Sequence, residues 1–340
     1  MKSAIKNKKN VNINKSWIEK YAFSLSSERL KLTILPTEKC NFRCTYCWED
    51  YQQGTMSQIT ANAIKKFLSH RIEKLKVLNI NWFGGEPLLA NSIVTDISAH
   101  IHQLITKYPN LIYTGGMTTN GYLLNEITLN KLCSIGIKKY NIGLDGIPEF
   151  HNKTRKLANN NETFDTIWNN LLSAKASSLD YSITLNINFF SDNYLYAVLP
   201  LLKLIDASIL DDKRFSLYFK AIRRLGGIND TQIKNVMPEE EEHIISQLKQ
   251  HVMNKQQIIN FNPSDYVCYA AEPNAMVIRA NGDINKCIVA LNALYNKVGK
   301  LNADGTMSID SQKFLAWSKG FQPLNTSYLS CPNNFMKYYA

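Results

Sequence analysis

Short apolar runs alternate with amphipathic stretches along most of the chain from residue 31 onward. Runs of strand length lie at 32–36, 77–83, 111–118, 138–144, 182–189 and 215–221. Between them apolar residues recur at helical spacing, and Ser57 is placed to cap the first such helix. Further helices are predicted over 124–135, 163–177, 194–205 and 238–251. The alternation predicts an α/β fold, a partial (β/α)6 TIM-like barrel that six units leave open on one side.

Polar turns follow the first four predicted strands. A cysteine-rich loop follows the first, Gly84-Gly85-Glu86-Pro87 the second, Thr119-Asn120-Gly121 the third and Asp145-Gly146 the fourth. In a barrel of parallel strands these turns share the C-terminal rim, where active sites lie. The pattern therefore predicts one site that brings together the cysteines, the glycine turn and Asp145.

The cysteine loop has the spacing Cys40-x3-Cys44-x2-Cys47. Thiolates are the usual ligands of iron–sulfur clusters, and three of them leave one iron of a four-iron cluster without a protein ligand. A structural zinc site needs four ligands, and here only Glu49 or Asp50 could complete one. A disulfide would leave an odd cysteine. We therefore favour an open cluster over zinc or buried thiols.

Composition bounds the class of protein. The 340 residues, 45% of them hydrophobic, suffice for one large domain and a smaller one. Seven cysteines are an odd count, which argues against a secreted disulfide scaffold. There is neither an apolar stretch of membrane-spanning length nor a secretory signal. We therefore expect a cytoplasmic protein with no membrane partner.

Charge is concentrated at the N-terminus. The net charge is +11, and residues 1–30 contribute +5 of it through seven Lys or Arg and two acids. We expect a solvated, partly disordered tail there, in preference to a binding surface for an acidic partner. The predicted organisation is a basic extension over 1–30, the barrel over 31–235, a helical linker over 236–265 and a second module over 266–340.

The cysteine triplet, the turn 84–87 and Asp145 together resemble the radical S-adenosylmethionine (SAM) superfamily, over roughly residues 31–331. The resemblance implies a 4Fe-4S cluster on the three cysteines, whose open iron is chelated by SAM. It implies one-electron cleavage of SAM to a 5′-deoxyadenosyl radical, fed by a flavodoxin- or ferredoxin-like electron donor. The cofactor then supplies the reactivity, and the protein supplies binding and orientation.

The same resemblance assigns SAM contacts. It places Tyr46 near the adenine, Gly84, Gly85 and Pro87 in a turn of close approach, Glu86 on the amino group, and Thr119, Asn120 and Asp145 near the ribose. Arg155 either pairs the SAM carboxylate or is a surface arginine. Asn186 and Asn188 are expected on opposite faces of the fifth strand, so that only one faces the interior. The family often has a serine where this chain has Gly143, so one contact is lost or supplied elsewhere.

The second module carries Cys268, Cys287 and Cys331. The spacing Cys268-x13-Gly282-x4-Cys287, followed by 298–301, resembles the start of a SPASM domain, but the later dense run of cysteines is missing. We therefore expect a truncated SPASM or Twitch-like module with one auxiliary 4Fe-4S cluster on these three cysteines. A zinc knuckle or unliganded thiols are the alternatives. Cys133, on a helix face, is expected to be a small buried hydrophobe.

The stretches 268–274 and 317–320 most resemble maturases of ribosomally made peptides, among them cyclophane synthases. These join an aromatic ring carbon to the β-carbon of a nearby residue, so a precursor peptide is the expected substrate. Formylglycine formation is disfavoured by Ile288, which stands where that family has an aspartate. Thioether formation and epimerisation stay open. A basic iron–sulfur or zinc protein that binds nucleic acid would explain the charge and cysteines, but neither the turn 84–87 nor the placement of Asp145.

Overall fold

The computed structural model describes residues 15–260, 266–322 and 324–336. The strands in these ranges are β1 (Arg29–Ile34), β2 (Phe42–Cys44), β3 (Val77–Trp82), β4 (Ile112–Thr119), β5 (Ile137–Leu144), β6 (Arg155–Leu157), β7 (Ser182–Phe189), β8 (Phe215–Ala221), β9 (Ala275–Ile278), β10 (Asp283–Asn285), β11 (Lys297–Leu301) and β12 (Met307–Ile309).

The helices in the same ranges are α1 (Lys15–Leu25), α2 (Gln58–Arg71), α3 (Asn91–Lys107), α4 (Glu126–Ser134), α5 (Pro148–Thr154), α6 (Phe164–Ala176), α7 (Leu199–Ser208), α8 (Pro238–Gln250), α9 (Ser311–Trp317), α10 (Thr326–Ser330) and α11 (Asn333–Met336). Helix α2 is capped as predicted, because the Ser57 side chain accepts from the backbone N–H of Thr60. The helix predicted over 194–205 instead opens with a π turn, Tyr194–Val198, before α7. No helix of the described ranges is long and apolar enough to cross a membrane.

One ten-stranded sheet has the order β12-β11-β10-β9-β1-β3-β4-β5-β7-β8. The strands β1, β3, β4, β5, β7 and β8 pair in parallel, and helices connect them along the chain. Strands β8 and β12 are its two edges, so the parallel strands form an open barrel rather than a closed one. The six-unit partial barrel predicted from the sequence is confirmed.

Strand β7 shows how alternation builds this barrel. Ile183, Leu185 and Ile187 are fully buried in the hydrophobic core. Asn186 and Asn188 share the other face, because residues two apart in a strand point the same way. The prediction that these two asparagines lie on opposite faces is therefore wrong. Cys133 is buried in the same core, as expected.

The N-terminal extension is partly helical. Helix α1 places the ring of Tyr21 against Phe321, with ring centroids 4.8 Å apart. Tyr21 also packs beside the small buried cluster of Ala271, Phe321 and Leu329. Residues 15–25 are therefore helical, but most side chains over 18–25 are exposed, among them Ile18, Phe23 and Leu25, which agrees with a largely solvated segment. Residues 1–14 lie outside the described ranges.

The C-terminal segment extends the main sheet. Strand β9 pairs in parallel with β1, from Lys31 opposite Ala275 to Ile34 opposite Ile278. Strands β10, β11 and β12 then add in antiparallel order. Helix α8 occupies Pro238–Gln250 of the segment 236–265 that the sequence predicted as a helical linker. The boundaries at 236 and 266 stay a prediction.

Candidate active site

The loop that carries the first three cysteines is held by a separate two-stranded sheet. Strand β2 pairs antiparallel with β6, which sets Cys44 opposite Arg155. The backbone N–H of Thr45 donates to the carbonyl of Thr154 at 2.9 Å. Phe42 anchors the loop, since its side chain is fully buried. This pairing brings the Arg155 guanidinium to the cysteine loop.

The thiols of this loop lie close enough to influence one another. Burial raises the pKa of Cys44 to about 12, while the charge of Arg155 lowers it and Cys47 raises it. Burial also raises the pKa values of Cys40 and Cys47. The Tyr51 side chain forms a hydrogen bond with Cys47, which lowers the pKa of that thiol. All seven cysteines of the chain are free thiols.

The glycine turn packs against the segment that leads into Cys40. Gly84 has a φ of +114°, and a Cβ there would stand 2.1 Å from the carbonyl oxygen of Thr37. A Cβ on Gly85 would stand 2.4 Å from the carbonyl oxygen of Lys39. The close approach that the glycines allow is therefore to the chain's own backbone. Pro87 follows as the first residue of a short 3-10 turn, Pro87–Ala90.

The carboxylate of Glu86 is fully buried at the end of β3. Its Oε1 accepts from the Thr119 hydroxyl at 2.8 Å and from the Leu88 N–H at 3.0 Å, and its Oε2 accepts from the Asn120 N–H at 2.7 Å. A carboxylate has about four acceptor positions, so capacity is left for one further donor. Burial raises the pKa of Glu86, and these three donors lower it. The Asn120 amide donates to Asn41 at 2.8 Å, which links this cradle to the cysteine loop.

Asp145 is the centre of a second buried network. Its Oδ1 accepts from the Tyr46 hydroxyl at 2.8 Å and from the Asn188 amide at 2.9 Å. Its Oδ2 accepts from the Thr154 hydroxyl at 2.7 Å. The Asp145 N–H donates to Nδ1 of the buried His151 at 3.3 Å. Two of the predicted residues, Tyr46 and Asn188, thus bind the carboxylate of a third, Asp145.

Arg155 is buried, not a surface arginine, with 9% of its area exposed. Its Nη1 donates to the Tyr46 hydroxyl at 2.8 Å and lies 4.0 Å from Oδ1 of Asp145. A Cβ on Gly143 would stand 3.0 Å from this Nη1 and 3.1 Å from the Asn188 amide nitrogen. The arginine and the amide thus occupy the space that a serine at 143 would need.

A cavity of about 640 Å³ opens beside this network. Tyr46, Asn188, Trp48 and Lys220 line it, and the Lys220 ammonium lies 6.0 Å from the centroid of the Trp48 indole. Partial removal from water lowers the pKa of Lys220, and the charges of Arg223 and Arg155 lower it further. Sequence reasoning missed Trp48 and Lys220, although Lys220 lies near the end of the sixth predicted strand, where site residues are expected.

The other predicted residues hold different places. Thr119 belongs to the Glu86 cradle, and its approach to a ribose stays a prediction. Asn186 lies one pleat from Asn188 on the same face and is half-buried. His151 and Thr154, which position Asp145, were not predicted, because nothing in the sequence around them marks a contact with that carboxylate.

The second set of cysteines is also gathered together. The Cys268 N–H donates to the Leu329 carbonyl at 2.8 Å, which ties residue 268 to the segment before Cys331. The pKa of Cys268 is raised to about 12, mainly by burial, and the nearby Cys287 and Cys331 contribute to that rise. The Asn296 side chain accepts from the Cys287 N–H at 2.8 Å and donates to the Cys287 carbonyl at 2.8 Å, which fixes that loop.

The donor sets suit iron–sulfur clusters by their chemistry. Each is three free thiols in one neighbourhood, and at the first a guanidinium favours the thiolate form that metals require. Within the part of the chain that the structure describes, no group of three His, Cys, Asp or Glu side chains has the arrangement that holds a metal ion. The fit to a cluster therefore rests on donor type and surroundings, not on preformed metal geometry.

The curated proteins that this chain matches are similar to it over only part of its length. The molybdenum cofactor biosynthesis protein moc-5 of Caenorhabditis elegans is 33% identical over 150 residues, which are 42% of this chain and 22% of that protein. The GTP 3′,8-cyclase of Campylobacter jejuni subsp. doylei is 31% identical over 188 residues, which are 52% of this chain and 53% of the cyclase. The chain thus spans about half or less of the length of these relatives.

Solved structures share the fold more completely. The native anSMEcpe structure with bound AdoMet and the Cp18Cys peptide has a TM-score of 0.66 and 18% identity, and the match covers 88% of this chain and 83% of that one. Streptococcus suis SuiB bound to the precursor peptide SuiA has a TM-score of 0.57 and 16% identity, with coverages of 90% and 72%. At these identities the likeness is one of fold.

A family comparison covers the site itself. Residues 34–199 match the family model described as the radical SAM superfamily. This segment contains the first cysteine loop, the Glu86 cradle and the Asp145 network. Residues 34–199, just under half of the 340-residue chain, therefore form a radical SAM domain.

Proposed function

We propose that this protein cleaves SAM reductively and oxidatively modifies a ribosomally synthesised precursor peptide, by joining an aromatic ring carbon to a β-carbon. One observation carries the proposal. The indole N–H of Trp48, next to Cys47, donates to the carbonyl of Ile288, next to Cys287, at 3.2 Å. This hydrogen bond joins the loops that carry the two cysteine sets, and Trp48 also lines the 640 Å³ cavity.

Roles for the chain's own residues follow from the geometry. Cys40, Cys44 and Cys47 would hold a 4Fe-4S cluster, which together with SAM supplies the 5′-deoxyadenosyl radical when both are bound. Glu86 keeps one acceptor position for an ammonium group, which is what the amino group of SAM offers. Arg155 presents a buried cation beside the cysteine loop and suits the SAM carboxylate.

The remaining residues shape the substrate side. Asp145, held by Tyr46 and Asn188, offers oxygen acceptors near the cavity for hydroxyl donors such as those of a ribose. Cys268, Cys287 and Cys331 would hold an auxiliary 4Fe-4S cluster, which supplies an electron acceptor when bound. A flavodoxin- or ferredoxin-like donor in the cytoplasm would reduce the first cluster.

A peptide substrate is favoured by the fold neighbours. Two of them, anSMEcpe and SuiB, were solved with peptides bound. This chain has the same fold over most of its length and carries a second three-cysteine set like the peptide-modifying enzymes that it resembles. A basic nucleic-acid-binding protein would not need the buried Glu86 and Asp145 networks.

The test is an anaerobic turnover assay. The full chain is purified without oxygen, reconstituted with iron and sulfide, and incubated with SAM, reductant and a small peptide encoded nearby. We expect 5′-deoxyadenosine and a peptide that has lost two hydrogens, with fragmentation placing the loss on an aromatic residue and a neighbour. Cys44→Ala, which removes a cluster ligand, should yield neither product. An unchanged peptide mass with SAM cleavage intact would contradict cross-linking.

The same assay distinguishes the other peptide modifications by the products that they form. Formylglycine formed from serine also loses two hydrogens, so an aldehyde-reactive hydrazide decides between that product and a cross-link. Epimerisation leaves the mass unchanged but alters the chirality of a residue. A thioether appears as a cysteine that no longer reacts with alkylating agents.

A second candidate is cyclisation of a nucleotide. It is favoured by the relatives named GTP 3′,8-cyclase and by the cations Lys220 and Arg223 in the cavity wall. Incubation of the reconstituted protein with GTP and SAM tests it. Consumption of GTP coupled to 5′-deoxyadenosine, with no change in the peptide, would favour this candidate over the first.

A further inference from the structure

A second cavity, of about 300 Å³, lies between the first cysteine loop and the C-terminal module. Glu38, Glu49 and Asp50 line it on one side, and Trp48 and Tyr295 bring aromatic rings to its wall. None of the roles assigned above uses this space. Its acidic lining stands out in a chain whose net charge is +11.

The charges of this cavity do not balance. Glu38 is paired with Arg279, whose Nη2 and Nε donate to its two oxygens at 2.6 and 2.9 Å. Oε2 of Glu49 is shielded from solvent, and among the described residues it has no hydrogen-bond partner. Asp50 accepts from the neutral amide of Asn292 at 2.6 Å. Among the described residues neither Glu49 nor Asp50 forms an ion pair, although the charge of Arg279 reaches both, and Glu49 has an unused buried oxygen.

Such a cavity suits an organic cation. Carboxylates form charge-assisted hydrogen bonds with guanidinium and ammonium groups, and indole and phenol rings attract the same cations through their π faces. Calcium would require six to eight oxygen ligands. In the described ranges no group of three acidic, His or Cys side chains has the arrangement that holds a metal ion. The lining therefore favours a guanidinium or an ammonium over a metal ion.

The acidic cavity adjoins the reaction cavity. Trp48 and Leu225 line both spaces, so they form a shared wall. We propose that the acidic cavity is a specificity subsite for a basic side chain, arginine or lysine, of the substrate peptide. This inference rests on the proposed peptide-modifying function. Binding at Glu49 and Asp50 would hold a basic residue at a fixed distance from the residue that reacts in the larger cavity.

The test compares two probes that differ in charge. N-acetyl-arginine amide and its neutral isostere N-acetyl-citrulline amide are titrated calorimetrically, without oxygen or reductant, into the reconstituted full chain. We expect the arginine probe to bind at least about tenfold more tightly, because only its charged guanidinium can form a charge-assisted hydrogen bond in this partly buried site. Glu49→Gln should remove most of that preference. Glu162→Gln, an exposed acid before α6, should keep it.

The outcomes separate the subsite from the function. Equal binding of the two probes to the unaltered chain overturns the subsite and needs no variant. A preference that survives in Glu49→Gln, with iron content and circular dichroism unchanged, also overturns it. A preference for arginine in a protein that modifies no peptide supports the subsite and counts against the proposed function. Peptide modification with no such preference overturns the subsite alone.

Discussion

Replacing Asp145 by asparagine tests the buried network on which the site is built. The carboxylate accepts from Tyr46, Asn188 and Thr154 at 2.7–2.9 Å, and it is fully buried. An amide offers one oxygen instead of two, so at least one charged hydrogen bond worth about 1.5–3 kcal/mol is lost and the others weaken. Arg155, 4.0 Å away, also loses its buried counter-charge. We expect the free energy of unfolding to fall by about 3–5 kcal/mol, as when one partner of a buried pair is removed.

The assay is urea denaturation of the variant and the unaltered chain at matched iron content. The control is Asp180→Asn, which breaks the ion pair with Lys138 at the surface, where the Asp180 side chain is 87% exposed. That change should cost about 0–1 kcal/mol. A loss below about 1 kcal/mol for Asp145→Asn, or equal losses in the two variants, would refute the reasoning that the network is a buried, charge-dependent unit.

Three other predictions follow from the same geometry. Gly143→Ser should weaken SAM binding in calorimetric titration, because the Cβ of the new side chain would stand only 3.0 Å from Nη1 of Arg155 and would displace the guanidinium. An unchanged affinity would contradict this. Arg279→Leu should destabilise the fold by about 3–5 kcal/mol, because it leaves the buried Glu38 unpaired. The double variant Arg279→Leu with Glu38→Leu should recover part of that loss in the same urea assay. Burial lowers the pKa of His151 well below 6.5, so the unfolded chain binds the extra proton and stability should fall as the pH drops below about 6.5. His151→Gln should flatten that slope, and an identical pH profile in the variant would count against the assignment.

Much of the fold could be predicted from local sequence patterns. Strands β7 and β8 match their predicted ranges residue for residue, because a buried face such as Ile183, Leu185 and Ile187 alternates cleanly with polar positions. The cysteine loop and the Glu86 turn were visible because each follows a strand. These features depend on residues close together in sequence, which a single chain displays.

The features of the site that could not be predicted from the sequence depend on pairing between distant segments of the chain. Arg155 is buried because β6 pairs with β2, and no local pattern reveals that register. Trp48 matters because it reaches Ile288, far along the chain. The ion pair between Glu38 and Arg279 likewise joins distant segments. The error over Asn186 was of another kind, since strand geometry alone would have corrected it.

The pairing of β1 with β9 has a consequence for how the chain is made. Lys31 meets Ala275 in that register, so one side of β1 stays unpaired until 244 further residues have been synthesised (275 − 31). At about 5–20 residues per second, translation takes roughly 12–50 s to supply them. During that time β1 offers a bare strand edge, the kind of surface on which nascent chains aggregate. Production of this protein should therefore depend on chaperones and slow growth more than its finished fold suggests.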